Sequence, residues 1–520
     1  MTLGAKNGKA KGVDEFSDSG SDKVVLARSL GLKECISMVM GIIIGTGIFI
    51  SPKGVLAGAG GSPGWSLIMW VVCAIISLFG ALCYAELSTT FKKSGGEFTF
   101  ILQAFGPLLA FLRMWTYLFI ILPAVAIVQG NTIANYITAP FFNDCEEVPM
   151  NALRLMGMAV IFMLAFINAI SVKLTTRLVN ILTVAKTVGL IVLIISGLVY
   201  LAKGNTKYLN PENSFQMTTP LNIPLGIFAG IFAFDGWESV NTIVEEIKKP
   251  ERNVPLGIVI SLAAVTIIYL MANIAYFTLL SPAEILASNA VAADFSTKAL
   301  GSWSWTIWVF VALSAIGNLL GNWLGLSRMF YVAAREGLLP NVVGMINIKH
   351  RTPIPSVIIV LPITLIYLMF DDVIALINYM LFVIVAFMAL TVLIIPYYRW
   401  KQPDMERTLK LPLVIPVIFI LVILFLMGLS IYTDPISAVI GTALTLAGVP
   451  VYFIGCVWKK PVWLQAKIVA FNITLQKFFF VVPQEKEMAS EADDDDDDED
   501  KKAKSNGYKA AKQFEDVPLN

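Results

Sequence analysis

The sequence predicts an all-α membrane protein with twelve transmembrane helices, and two observations support this. The 520-residue chain is 57% hydrophobic and only 14% charged, whereas a soluble domain is roughly 45–50% apolar and about 25% charged. Its apolar residues also gather into segments of about 20, the length that crosses a bilayer. The single His argues against histidine-based hydrolysis and against a multi-His metal centre, so no metal site and no cofactor are predicted.

Twelve candidate spans follow one another along the chain. They lie near residues 35–57, 65–90, 105–138, 151–171, 178–202, 222–243, 254–280, 303–332, 355–370, 373–398, 411–432 and 437–458. Residues 34–458 are therefore predicted to form one membrane domain, flanked by polar tails.

Positive charge concentrates in alternate loops between these spans. The cation-rich loops hold Lys92, Lys93, Lys173, Arg177, Lys248, Lys249, Arg252, Arg399 and Lys401. The intervening loops are poor in cations, as in the acidic stretch 144–147 and the turn at 371–372. Because cytoplasmic loops carry the excess of Lys and Arg, both termini are predicted to be cytoplasmic, which agrees with an even number of spans.

The two tails differ from the membrane domain in composition. Residues 1–33 are polar, and residues 486–520 contain an acidic run followed by lysines; both are predicted to be disordered. Residues 459–485 mix aromatic side chains with Lys467 and Lys477. This segment fits either an amphipathic helix on the cytoplasmic membrane face or a helix packed on the base of the membrane domain.

Three glycines interrupt the first span, where residues 41–49 read GIIIGTGIF. Glycine costs about 1 kcal/mol relative to alanine in a helix, which favours a break. Unwound backbone at this depth must line a cavity, because lipid cannot hydrogen-bond its N–H groups. The half-helix after the break would point N–H groups and its positive dipole end at a carboxylate. The alternative is a glycine face for close helix packing. The predicted ligands are Ile44, Gly45, Thr46, Gly47 and Ile48.

The sixth span has a matching feature at residues 226–238, which read GIFAGIFAFDGWE. An acidic residue beside glycine at membrane depth is costly, so it needs a cationic partner, water or a substrate. Carbonyl groups freed by unwinding would accept hydrogen bonds from a substrate ammonium, and the neighbouring aromatic rings would cover it. The predicted ligands on this side are Phe232, Ala233, Phe234, Asp235, Gly236 and Glu238.

The two breaks lie five spans apart, which is the pattern of two inverted five-helix repeats. A zwitterion fits the pair, with its carboxylate at the first break and its amine at the second, so an L-amino acid is the predicted ligand. Lys186 lies within the span 178–202, where a buried ammonium must find acceptors. It is predicted either to take the place of a coupling cation near the first break, giving sodium-independent transport, or to extend to the cytoplasmic membrane edge.

These residues belong to several motifs of a known family. The motifs include residues 45–52 (GTGIFISP), 93–97 (KSGGE), 232–237 (FAFDGW) and 334–340 (AREGLLP). With them the chain resembles the light chains of the heteromeric amino acid transporters, in the amino acid–polyamine–organocation superfamily. The resemblance implies a leucine-transporter-like fold with broken helices 1 and 6, and exchange of amino acids across the plasma membrane.

The resemblance also implies roles for single residues. Thr46 and Gly47 match the break that binds the carboxylate, and Phe232 matches an aromatic gate. Asp235 matches an acidic position in a member that carries cationic amino acids. Leu122 and Ile384 stand where a member with an anionic substrate has arginines. The predicted substrates are therefore neutral and cationic L-amino acids.

Cys145 matches the family's extracellular cysteine, which bonds to a single-span glycoprotein heavy chain. Of the five cysteines it is the one in a polar outer loop, where disulfides persist; the alternative is an unpaired thiol. The prediction is thus a sodium-independent exchanger in the plasma membrane, not an enzyme, that binds no nucleic acid and works as the light chain of a disulfide-linked heterodimer. The alternative is a proton- or sodium-coupled amino acid symporter of the same fold.

Overall fold

The computed structural model describes residues 30–91, 95–138, 149–288, 290–348, 352, 354–367, 373–458 and 460–482. Within these residues the chain is all-helical apart from two short strands, as the sequence predicts. Cys145, residues 1–29 and residues 483–520 lie outside the described residues.

The described residues of the first half of the chain form nine helices. They are α1 (Leu32–Ile43), α2 (Gly47–Gly58), α3 (Pro63–Phe91), α4 (Gly96–Phe105), α5 (Pro107–Thr138), α6 (Met150–Ile170), α7 (Val172–Ala202), α8 (Pro211–Ser214) and α9 (Ile223–Phe234). One turn of α5, Tyr117–Ile121, is π-helical. A 3-10 helix, Trp237–Glu246, follows α9.

In the part of the second half that the structure describes, the chain forms another nine helices. They are α10 (Pro250–Leu279), α11 (Pro282–Ala287), α12 (Val291–Leu300), α13 (Trp305–Arg335), α14 (Ile354–Tyr367), α15 (Val373–Lys401), α16 (Val414–Thr433), α17 (Pro435–Val457) and α18 (Val462–Phe479). Short 3-10 segments occur at Gly301–Trp303 and Asn341–Gly344. The strands β1 (Ile346–Asn347) and β2 (Val481–Val482) pair in antiparallel fashion.

Most of these helices are built to cross a membrane. In the described part of the chain, nine are long and apolar enough to do so, and the bent pair α1–α2 raises the number to ten. Their outer faces carry large apolar side chains such as Leu421 and Ile436, which are 60% and 71% exposed. Such a surface is stable in lipid and not in water, so the chain is a multi-pass membrane protein.

Helices α2 and α9 pack backbone to backbone through small residues. A Cβ atom added to Gly47 would lie 2.5 Å from the Cα of Ala233, and one added to Gly54 would lie 2.8 Å from the Cβ of Ala229. The order of these pairs along the two helices makes them antiparallel. Gly47 therefore stands at the start of α2 and also allows close helix packing, which was the alternative interpretation of the glycines in the first span.

The other halves of the first and sixth spans, α1 and the 3-10 helix, are joined by a backbone bridge between their flanking residues. Leu30, just before α1, pairs with Ile247 at the end of the 3-10 helix. The N–H of Lys248 donates to the carbonyl of Leu30 at 2.8 Å. The entry to α1 is therefore tied to the exit of the sixth span.

For the segment 459–485 the sequence predicts either an amphipathic helix on the membrane face or a helix packed on the base of the membrane domain, and helix α18 has features of each. Val481, just after it, is buried in a small cluster with Val342 and Met345, so the helix is attached to the base of the bundle. Trp463 and Phe478 remain exposed at 61% and 74%. One side of α18 thus packs against the protein, while its other apolar side chains stay uncovered.

Candidate functional site

The first span is interrupted at residues 44–46. Helix α1 ends at Ile43, α2 begins at Gly47, and the two axes are bent by 55°. The N–H of Gly45 turns back to the carbonyl of Ile43 at 2.7 Å, outside the α-helical pattern. The first N–H groups of any helix have no partner within it, so the start of α2 presents donors toward the interruption.

The sixth span is interrupted at residues 235–236. Helix α9 ends at Phe234, Asp235 is extended, and Gly236 adopts a φ of 111° that favours glycine. A Cβ atom at Gly236 would also lie 2.6 Å from the Cγ2 of Ile42. The two interruptions are therefore in contact, because Ile42 stands just before the first.

A tyrosine on α10 joins the two helix ends. The Tyr269 hydroxyl lies within hydrogen-bonding distance of the carbonyls of Ile43 (2.8 Å) and Ala233 (3.1 Å), and its single proton can be donated to either one. Its ring packs against Phe234 and Trp70, with centroids 5.1 and 5.6 Å away. Both carbonyls lie at helix C-termini, where the dipole is negative, so the hydroxyl can stabilise either one.

Helix α13 supports the first interruption from the other side. The Ser314 hydroxyl donates to the carbonyl of Gly45 at 3.2 Å. The Asn318 amide lies against the Cα of Gly45, where a Cβ atom would collide with its nitrogen. The sequence reasoning named neither residue, although polar side chains within the span 303–332 were an available signal.

Lys186 is buried, with 2% of its surface exposed. Its ammonium donates to the carbonyl of Gly41, in the last turn of α1. The structure therefore places this charge beside the first interruption.

Both interruptions open on one cavity of about 970 Å³. It reaches Lys33 and Glu34 at the start of α1, and Gly325 and Met329 near the end of α13. The cavity is therefore open toward the end of the bundle at which the chain enters α1.

Most of the predicted ligands line this cavity. The lining members are Gly45, Thr46, Gly47, Lys186, Phe232, Asp235, Gly236 and Glu238. Ile44, Ile48, Ala233 and Phe234 are instead buried in the core, each at most 2% exposed. In the described chain no group of three or more His, Cys, Asp or Glu side chains could hold a metal ion.

Two further buried charges line the cavity near the second interruption. Arg113 of α5 donates through Nε to the carboxylate of Glu97 on α4, and the Tyr84 hydroxyl donates to the same carboxylate. Glu238 accepts a hydrogen bond from the N–H of Gly236 at 3.1 Å. The sequence reasoning named Glu238 and missed Arg113, although a lone arginine in an apolar span is a usable signal.

Part of the remaining cavity wall is apolar. It is formed by Ile121, Leu122, Val125, Ile384 and Met388. The cavity thus presents hydrogen-bond donors at the first interruption, and carbonyl acceptors and carboxylates at the second. Its apolar surface could contact the side chain of a bound molecule.

Comparisons with known proteins agree on one family. The family model for amino acid permeases matches residues 30–456. The cystine/glutamate transporter of Homo sapiens is 42% identical over 93% of this chain and 97% of the relative. The large neutral amino acids transporter small subunit 2 of Homo sapiens is 41% identical over 90% of this chain and 88% of the relative. The b(0,+)-type amino acid transporter 1 of Mus musculus is 40% identical over 89% of this chain and 94% of the relative.

Proposed function

Because the chain belongs to the light chains of the heteromeric amino acid transporters, within the amino acid permease family, we propose that it is a sodium-independent exchanger of L-amino acids. Its relatives are named as transporters, and none of those compared is named as an enzyme. We place the protein in the plasma membrane with both termini cytoplasmic, as the charge of its loops favours.

One observation carries the proposal: two interrupted helices face one cavity with opposite polarity. The substrate carboxylate would bind the free N–H groups at the start of α2, at residues 46–48. The substrate amine would bind the carbonyl groups at the end of α9, which leaves the carboxylate of Asp235 for the side chain of a cationic substrate. Helix N-termini stabilise anions and helix C-termini stabilise cations, so the zwitterion has one favoured orientation.

Sodium independence is supported by the position of Lys186. Its ammonium already holds the carbonyl of Gly41 beside the first interruption. A bound sodium ion would have to compete with this fixed charge for the same carbonyl. The protein therefore needs no coupling cation there.

The range of substrates follows from the cavity wall. Leu122 and Ile384 make part of it apolar, which suits aliphatic and aromatic side chains and places no positive charge at these two positions. Asp235 and Glu238 supply negative charge at the second interruption. We therefore propose neutral and cationic L-amino acids as substrates.

Phe232 is the proposed gate. It lines the cavity and is half-buried, so a rotation of its ring would cover or uncover a bound amino acid. Exchange would then proceed as the cavity alternates between the two sides of the membrane, with the interruptions carrying the substrate.

The fold proposed for this mechanism has twelve spans in two inverted five-helix repeats followed by two helices. The ten candidate spans and the shorter apolar helices α9 and α14 together supply twelve apolar segments. The proposed organisation is a tail at 1–33, the transporter domain at 34–458, an amphipathic segment at 459–485 and an acidic tail at 486–520.

The proposed partner is a single-span glycoprotein heavy chain bound through Cys145. Cys145→Ser should abolish a disulfide-linked band on non-reducing gels while leaving much of the transport activity, because Cys145 is not among the predicted substrate ligands. Cys456→Ser is the matched control, since that thiol is exposed but on the last span. Survival of the linked band in Cys145→Ser would show that the cysteine assignment is wrong.

Exchange is tested by uptake of radiolabelled Leu and Arg into cells that also express a heavy chain. Preloading the cells with unlabelled amino acid should stimulate uptake several-fold, and replacing sodium by choline should change nothing. Uptake that does not respond to internal amino acid would refute exchange.

The alternative is a proton-coupled symporter of the same fold. It is favoured by three of the carboxylates that line the cavity, Glu97, Asp235 and Glu238, since intramembrane carboxylates often carry protons. Uptake that rises steeply with an inward proton gradient and ignores internal amino acids would establish it.

A further inference from the structure

Arg113 is the one buried cation on the cavity wall near the second interruption among the described residues. Its side chain is 8% exposed and lines the cavity. The guanidinium carbon lies 5.4 Å from the ring centroid of Tyr117 and 5.5 Å from that of Phe387. Two aromatic rings therefore hold the cation in place, an arrangement that suits arginine better than lysine.

The guanidinium has unused hydrogen-bonding capacity. Nε donates to Glu97, while the buried Nη1 has no hydrogen-bond partner. A guanidinium carries five N–H donors, and an unpartnered buried donor is costly. Because the residue lines the cavity, its incompletely paired positive charge contributes to the electrostatic environment of whatever occupies that space.

Carboxylates outnumber cations around this guanidinium. Glu97, Asp235 and Glu238 all line the same cavity. Asp235 is repelled by Glu97 and, more weakly, attracted by Arg113, and Glu238 is repelled by both other carboxylates. Arg113 and the Tyr84 hydroxyl both donate to Glu97, so a single guanidinium faces three carboxylates and offsets only part of their negative charge.

We propose that Arg113 is a specificity-determining residue, the internal cation that balances Asp235 when the cavity holds a neutral amino acid. A cationic substrate brings its own charge to Asp235, whereas a neutral one leaves that carboxylate unpaired in a low-dielectric site. Arg113 thus allows one site to accept both classes. This inference rests on the proposed function, because it assumes that both classes are carried.

The test is the kcat/KM for Leu and for Arg in wild type, Arg113→Gln and Arg113→Lys, assayed with the heavy chain present. Arg113→Gln should lower kcat/KM for Leu by roughly tenfold or more, the scale of losing one partner of a buried charge pair, and that for Arg by much less. Arg113→Lys keeps the charge and should retain an intermediate activity toward Leu. Equal loss of both substrates in Arg113→Gln would overturn the inference.

A rescue experiment separates this role from a merely structural pairing with Glu97. If Arg113 balances Asp235, then Arg113→Gln/Asp235→Asn should regain most of the kcat/KM for Leu, because the unpaired charge is gone. If Arg113 serves only Glu97, then Arg113→Gln/Glu97→Gln should be the better rescue. Rescue by Glu97→Gln that equals or exceeds rescue by Asp235→Asn would overturn the inference.

Folding is controlled in the same series by gel filtration of the purified heterodimer. Should Arg113→Gln not fold, Arg113→Gln/Glu97→Gln becomes the background, and adding Asp235→Asn to it should raise kcat/KM for Leu several-fold; no rise would overturn the inference. A wild-type protein that carries neither Leu nor Arg would refute the proposed function and the inference with it. A wild type that carries both, with variants that keep its preference, would refute the inference alone.

Discussion

Both interruptions are breaks in a membrane helix, but they present opposite polarity to the cavity. At residues 44–46 a helix start faces the cavity, and the nearby charge is the ammonium of Lys186. At residues 235–236 a helix end faces it, and the nearby charges are carboxylates. An interrupted helix can therefore suit either an anionic or a cationic group. Which one it suits depends on whether a helix N-terminus or C-terminus faces the cavity, and on the charge of the side chains beside it.

Gly47→Ala should have the largest effect on this pair. The new Cβ atom would lie 2.5 Å from the Cα of Ala233, so α2 or α9 must shift and both interruptions move. Displacements of about 1 Å at a site cost on the order of 100-fold in rate, and Leu uptake per molecule at the membrane should fall by that scale. Gly428→Ala is the control, since a Cβ atom there meets no heavy atom within 4 Å. More than half of wild-type uptake in Gly47→Ala would mean that the two helices are not in this contact.

Lys186→Met tests the cation of the first interruption. It keeps the length of the side chain and removes the hydrogen bond to Gly41. Hydrogen bonds to charged groups contribute roughly 1.5–3 kcal/mol, so uptake of Leu and of Arg should both fall about tenfold or more. Lys203→Met is the control, because that lysine is exposed beyond the end of α7. An unequal loss of the two substrates would place Lys186 nearer to the substrate side chain than the structure does.

Asp235→Asn tests the acid of the second interruption and should discriminate between substrates. Uptake of Arg should fall about tenfold through loss of its counter-ion, while uptake of Leu should change by less than about threefold, roughly the effect of one neutral hydrogen bond. Competition of unlabelled amino acids against labelled Leu gives the ratio directly. Equal losses would make Asp235 a structural acid.

Glu284→Gln measures a charge outside both interruptions and should have the smallest effect. Lys298 donates to Glu284 at 2.5 Å, and hydrogen bonds from Lys298 and Ser281 lower the pKa of this carboxyl to about 2 from 4.5. A lowered pKa stabilises the folded protein above pH 4.5, and this contribution is lost as the pH falls through about 2. Because the pair is half exposed, the variant should lose no more than about 2 °C of Tm at pH 7. A change in transport would show that this surface pair is coupled to the cavity.

The sequence predicted the interruptions better than their surroundings. Glycines at 45 and 47 and the pair Asp235-Gly236 mark both positions, since these residue types are costly in a buried helix. The single span predicted at 222–243 is in fact α9 followed by a 3-10 helix. That difference follows from Gly236, whose positive φ ends the α-helix.

The rest of the site depends on directions that a sequence does not contain. Ile48 and Phe234 flank the interruptions in sequence, but successive residues of a helix point about 100° apart, and both side chains turn into the core. Tyr269 and Asn318 reach the first interruption from other helices. Their spans contain other polar residues, so only tertiary packing identifies the two that arrive there.

The contacts between the two interrupted spans also set their mechanics. Helices α2 and α9 touch along their backbones at Gly47 and Gly54, which leaves no room for one to slide past the other. At the opposite ends, the segment entering α1 and the segment leaving the 3-10 helix are joined by the strand-like bridge of Leu30 and Ile247. The pair α2–α9 and the pair of α1 with the 3-10 helix therefore each move as one body, connected through the short non-helical segments at residues 44–46 and 235–236. Any tilt of one pair against the other must bend both segments at once, so the proposed sites for the substrate carboxylate and the substrate amine would change shape together.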